Sequence, residues 1–202
     1  MQAVFDAARL GVLGLRRVLN ENVDLEAKDD GGNTALIWAA FKDDDACLRL
    51  LANAKADIDA KNAEGKTGLI VAALEGHTEC MQVLVDAKAS LEAKDNEGNT
   101  ALFSAVSESH VECVELLLDA KADVDAQDNY HATVASAAAA GGLMRCLLVL
   151  VPAKADVNIQ DDSGCTALLL AAHNGHPECV QLLIEAKADL DLKDEDGDTP
   201  LT

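Results

Sequence analysis

Residues 95–127 read DNEGNTALFSAVSESHVECVELLLDAKADVDAQ, and much of the remaining chain is that stretch repeated. Thr34, Thr67, Thr100, Thr133, Thr166 and Thr199 stand 33 residues apart. So do Cys47, Cys80, Cys113, Cys146 and Cys179, and so do Lys55, Lys88, Lys121, Lys154 and Lys187. A fixed period between about 20 and 50 residues is the mark of an array in which each unit buries its apolar face on its neighbours. The register gives one repeat domain over 1–202: an incomplete unit at 1–28, five full units at 29–61, 62–94, 95–127, 128–160 and 161–193, and the start of a sixth at 194–202.

Each unit reads in the same physical order. Asp95, Gly98 and Thr100 form a turn followed by a helix cap: glycine takes the positive φ of a tight turn, and the threonine hydroxyl can accept from a free N–H of the first helical turn. Ala101 to about Ser107 is expected as a short helix, broken at Ser109-His110. Val111 to about Ala120 follows as a second, with Cys113, Val114, Leu116, Leu117 and Leu118 covering a wide apolar face. Lys121 to Gln127 then returns as an extended loop.

The motifs Thr-Ala-Leu-x-x-Ala-Ala, Gly-His-x-Glu-Cys-Val-x-Leu-Leu and Ala-Asp-Val-Asp-Ala resemble the ankyrin repeat across 29–193 and both partial ends. The resemblance implies an all-α solenoid of L-shaped units, two antiparallel helices joined by a β-hairpin finger, with a concave side that binds other proteins. Three departures stand out. Where most ankyrin repeats carry glycine after the second helix, all five units carry lysine, and the first carries Asn22. A left-handed non-glycine residue costs about 1 kcal/mol. The histidine of the family's Thr-Pro-Leu-His is replaced by Ile37, Ile70, Phe103, Ser136, Leu169 and Thr202, which exchanges inter-repeat hydrogen bonds for apolar packing. Unit 128–160 is irregular: His131 replaces the turn glycine, Leu143 the turn histidine, and Pro152 falls near the end of the second helix, where it removes a hydrogen bond. That unit is expected to be the softest.

Composition narrows the function. Half of the 202 residues are hydrophobic but only 2% aromatic, and the net charge is −20. Clustered Lys and Arg are what phosphate contacts and anionic membranes demand, so nucleic acid and direct membrane binding are not expected. Five of six cysteines share one repeat position, and stacked helices sit about 8–10 Å apart, beyond the roughly 7 Å reach of a disulfide. They read as small buried hydrophobes in an intracellular, reducing, cytoplasmic setting. Cys165, in a turn, is the one thiol expected to be exposed. The Met1 end shows no signal-peptide pattern.

No constellation points to catalysis. His77/Cys80, His110/Cys113 and His176/Cys179 have metal-ligand spacing, but each pair belongs to a separate unit, and the histidines are expected to organise the inter-helix turn. Asp194 to Asp198 is only part of a calcium-loop pattern and reads as a solvated acidic turn. There is no defensible triad and no phosphate loop, so the expectation is no enzyme, no metal and no cofactor.

The positions that the repeat leaves free are the finger residues beside the turn glycine and the two residues after the first-helix Ala-Ala. The partner-binding candidates at these places are Phe41, Lys42, Glu64, Lys66, Leu74 and Glu75, then Glu97, Asn99, Glu108 and Tyr130, then His173 and Asn174. Phe41, Leu74 and Tyr130 are the anchors such surfaces use. Trp38 aligns with Val71 and is expected in the core. The reading is a monomeric protein-interaction scaffold whose acidic concave face meets a basic or mixed protein surface. The alternative is the targeting or regulatory portion of a longer enzyme or channel, motivated by the stop at Thr202 without a polar cap. A structural spacer is the third option.

Overall fold

The computed structural model describes Val4, Ala7, Ala8, residues 11–19 and residues 23–201. Asn22 and Thr202 lie outside these residues. The described helices are α1 (Val12–Val18), α2 (Ala35–Phe41), α3 (Asp45–Asn53), α4 (Gly68–Glu75), α5 (Thr78–Asp86), α6 (Ala101–Ser107), α7 (Val111–Asp119), α8 (Val134–Ala140), α9 (Met144–Leu150), α10 (Ala167–His173) and α11 (Pro177–Glu185). Each full unit is a short first helix and a second helix packed on it, and like helices of successive units form two rows.

The local chemistry fixes both ends of these helices. Thr34, Thr67, Thr100, Thr133 and Thr166 are buried N-caps, each hydroxyl accepting from the N–H three residues on at 3.2–3.4 Å. The second helices end at the lysines, which are left-handed as expected: φ is 69° at Lys55, 68° at Lys88, 74° at Lys121, 71° at Lys154 and 64° at Lys187. The bonds around them form a Schellman closure. Lys121 N–H reaches Leu118 O at 3.0 Å and Ala122 N–H reaches Leu117 O at 3.0 Å.

The fingers are tight turns. Asp95 Oδ1 accepts from the N–H groups of Glu97 and Asn99, both at 2.9 Å, while Asp95 N–H closes the loop on Asn99 O at 3.0 Å. Among the described residues the only β pairing is one isolated antiparallel bridge, Gln127 with Thr133, because each finger arm is too short for a ladder. Each finger bonds to the next, as Asn129 N–H does to Glu97 O at 3.1 Å. This approach requires glycine at the tip: a Cβ on Gly98 (φ 87°) would lie 2.5 Å from Asn129 N.

The core is one continuous band. Ala39, Ala40, Ala72, Ala73, Ala105, Ala138, Ala139 and Ala171 are buried along the first-helix row, which packs more closely than the second-helix row because its side chains are small. Leu48, Leu51, Met81, Leu84, Val114, Leu117, Leu147, Leu150 and Leu183 fill the space between rows.

Unit 128–160 departs as its sequence anticipates, and the structure places the weak point at its junction with 95–127. Three junctions have a histidine bond from one unit to a carbonyl of the unit before: His77 Nδ1 to Ala40 O at 3.0 Å, His110 Nε2 to Leu74 O at 3.0 Å, His176 Nε2 to Ala140 O at 3.1 Å. Leu143 cannot make one. A second rung runs from Lys28 Nζ to Lys61 O, Lys61 Nζ to Lys94 O, Lys94 Nζ to Gln127 O and Gln160 Nε2 to Lys193 O. Gln127 turns instead to its own finger, donating to His131 O at 3.0 Å. The α6–α8 contact is also the loosest in its row, and α9 spans 7 residues where α3, α5, α7 and α11 span 9, ending just before Pro152.

Two outcomes follow. Lys121→Gly should relieve about 1 kcal/mol of left-handed strain and raise the melting temperature by about 2–4 °C; a lowered value would refute the strain. Hydrogen exchange should show the amides of 128–160 opening before those of 95–127, and equal protection of the two units would remove the weak junction.

Candidate functional site

The free positions of neighbouring units converge in a groove between the fingers and the first helices. Its first hollow, about 280 Å³, is lined by Ile37, Trp38, Phe41, Glu64, Lys66, Val71, Leu74 and Glu75 together with finger residues. The second, about 330 Å³, shares Lys66 and Leu74 and continues past Glu97, Asn99, Phe103 and Glu108 to Tyr130. Helix geometry explains the convergence. Trp38 and Phe41 are one turn apart on α2, Val71 and Leu74 one turn apart on α4, and each pair faces the finger side.

Of the twelve expected residues, Phe41, Glu64, Lys66, Leu74, Glu75, Glu97, Asn99, Glu108 and Tyr130 therefore line one surface. Lys42 stands at its edge, with Nζ 4.9 Å from the Trp38 ring centroid and 4.7 Å from that of Phe41. His173 and Asn174 are exposed on the last unit and line neither hollow; Asn174 Nδ2 donates to Ala140 O at 3.2 Å. Phe41 and Tyr130 are 40% and 68% exposed, while Leu74 is half-buried and forms floor.

Trp38 corrects the sequence expectation. It is half-buried and lines the groove, because its indole overfills the slot that the smaller Val71 occupies one unit later. Phe103 was also missed as a lining residue. Its signal was present: it stands four positions before Ser107, on the same helix face.

The charges in the groove divide into partnered and unpartnered groups. Lys66 is bound to Glu64 at 2.7 Å, and Asn99 Nδ2 donates to Glu97 Oε2 at 3.3 Å. The side chains of Glu75 and Glu108 have no internal partner among the described residues. Elsewhere, carboxylates hold backbone. Glu92 Oε1 accepts Asp123 N–H at 2.8 Å, and Asp194 Oδ1 accepts the N–H groups of Asp196 and Asp198 at 3.0 and 2.9 Å, so the calcium-loop resemblance is a self-closed turn.

The repeated cysteines are buried thiols. Burial, helped by Asp44 and Asp43 respectively, pushes Cys47 and Cys80 up to about 12, so both stay protonated at neutral pH. Cys80 Sγ donates to Asp43 Oδ1 at 3.5 Å, and all six cysteines are free. Cys165, expected exposed, is half-buried, with its thiol also raised by burial. The histidines expected to organise the inter-helix turn reach across the junction instead. Among the described residues no group of three or more His, Cys, Asp or Glu side chains could hold a metal, and no helix is long and apolar enough to cross a membrane.

The family model for ankyrin repeats (3 copies) matches residues 43–128 and 135–202. The chain belongs to the ankyrin-repeat family. Its fold is similar to the crystal structure of the ankyrin repeat domain of Bcl-3, described as a unique member of the IkappaB protein family. The TM-score is 0.93 at 28% identity, over 100% of this chain and 92% of that one. It is also similar to the ankyrin repeat protein EF0377, with a TM-score of 0.86 at 25% identity over 91% of this chain and 97% of that one. A comparison with curated protein sequences gives no match. Ankyrin repeats are a general protein-interaction module, and the groove occupies the face on which the free positions of this ankyrin array gather.

Proposed function

We propose that the chain is a monomeric, non-enzymatic interaction scaffold that holds a partner protein against an acidic concave face made of the fingers and first helices. One observation carries the reading: two exposed aromatic rings, Phe41 and Tyr130, stand along one groove whose rim carries the unpaired carboxylates of Glu75 and Glu108. Exposed aromatic anchors surrounded by polar rim are what concentrate binding energy at an interface. A groove with Glu64, Glu75, Glu97 and Glu108 against Lys66 disfavours phosphate backbones and anionic lipid, and favours a protein surface that is basic or mixed. The close-packed first-helix row supports the concave assignment, since the more tightly spaced row lies on the inside of a bend. The buried thiols support an intracellular, reducing setting.

The test is capture of partners by the full chain and by the Phe41→Ala/Tyr130→Ala double variant. Both side chains are exposed, so the variant should fold. A specific partner held by the native chain should be weakened about 30-fold or more in the variant. Equal retention by both proteins would remove the groove as the binding face.

A further inference from the structure

Within the groove one place is already occupied by a cation of the chain itself. The Trp38 and Phe41 rings have centroids 5.6 Å apart and are tilted by 32°. The exposed Lys42 ammonium lies over both, 4.9 and 4.7 Å from the two centroids, the range in which a cation is attracted to an aromatic face. Among the described residues Lys42 makes no ion pair, so in a chain with 36 acidic side chains its ammonium is held by these two rings instead. The same hollow holds Glu64 and the unpartnered Glu75. Aromatic faces beside free carboxylate make a seat for a cationic side chain, and a planar guanidinium, which stacks and sheds water more readily than an ammonium, suits it better than lysine does. The adjoining hollow differs in kind: Leu74, Phe103 and Tyr130 make an apolar wall, with Glu97 and Glu108 at the rim.

We propose that the groove binds an extended segment of a partner protein, with an arginine side chain stacked on Trp38 and Phe41 against Glu75 and an apolar side chain filling the hollow at Leu74, Phe103 and Tyr130. This rests on the interaction-scaffold reading and specifies its partner. The two hollows share Leu74 and Lys66, so they are about one repeat apart, roughly 10 Å by helix packing. An extended chain advances about 3.3 Å per residue, which puts the arginine and the apolar residue about three or four positions apart. Lys42 is displaced from the rings when the arginine enters, which exchanges one cation for another and leaves no buried charge unpaired. An acidic segment would bring like charges together at Glu64, Glu75, Glu97 and Glu108, which costs affinity at every one of them.

Trp38 is the only tryptophan in the chain, so its fluorescence reports the seat directly. The full chain is titrated with three pools of tryptophan-free nine-residue peptides. One has arginine fixed and leucine three or four positions later, one has glutamate in place of the arginine, and one has serine in place of the leucine. The arginine–leucine pool should change Trp38 emission saturably, more weakly as salt is raised. The glutamate pool should bind at least about tenfold more weakly, and the Glu75→Lys variant should lose about tenfold for the arginine–leucine pool. Glu75→Gln, which keeps the size, should lose about threefold. The serine pool should also bind more weakly, and equal binding of the glutamate pool or of the serine pool, or arginine–leucine binding unchanged in Glu75→Lys, would overturn the proposal. So would the absence of any saturable change while the Phe41→Ala/Tyr130→Ala variant still loses its captured partner, a result that leaves the scaffold reading standing and removes only the arginine-bearing segment.

Discussion

At five successive junctions, from that of 1–28 with 29–61 to that of 128–160 with 161–193, a carboxylate or amide oxygen of one unit accepts a backbone N–H of the next. Glu26 accepts from Asp57, Asp59 from Ser90, Glu92 from Asp123, Asp125 from Asp156 and Asn158 from Asp189, all at 2.8–2.9 Å and 31 residues apart. The loops after the second helices run outside any helix or sheet, so their N–H groups depend on such partners or on water. Charge-assisted bonds of this kind are among the stronger ones available. They also make each unit incomplete alone, since the acceptor for its loop belongs to the unit before it. The finger-to-finger bonds, the lysine rung and the apolar band act on top of this ladder.

The ladder divides the acidic residues into two groups. Those in the second-helix loops and at the finger bases, such as Asp59, Glu92, Asp95 and Asp128, hold backbone N–H groups. Two in the groove, Glu75 and Glu108, have no partner among the described residues, while Glu64 and Glu97 meet only the side chains of Lys66 and Asn99. Net charge alone cannot make this distinction. The difference lies in repeat position: a ladder carboxylate recurs because every junction needs it, whereas the groove carboxylates vary from unit to unit.

The same distinction explains what could be read from the sequence. Thr100, Gly98, Lys121 and Cys113 recur with the period, and each recurrence encodes one local requirement: a cap, a tip with no Cβ, a left-handed closure, a buried small side chain. In unit 95–127 the helix limits followed to within a residue. The groove was legible as a set of positions, and nine of the twelve expected residues line it. Trp38 was misplaced because alignment with Val71 gives its direction but not how far an indole extends. The reach of His77, His110 and His176 across the junctions was hidden because hydrogen bonds between units depend on their spacing, which no single repeat encodes.

The weak junction before unit 128–160 sits between the part of the array that carries Phe41, Leu74 and Glu75 and the part that begins with Tyr130. A segment spanning both would cross it, so the stiffness of the array and the continuity of the groove depend on the same few bonds. The most direct test of the division between ladder and groove compares thermal unfolding of Glu92→Ala and Glu75→Ala. Both replace an exposed glutamate with the same residue. Glu92→Ala leaves Asp123 N–H without its acceptor and should cost about 1 kcal/mol, a fall of about 2–4 °C, while Glu75→Ala should leave the melting temperature within about 1 °C of the native value. Equal shifts for the two variants, or a larger loss for Glu75→Ala, would contradict the account.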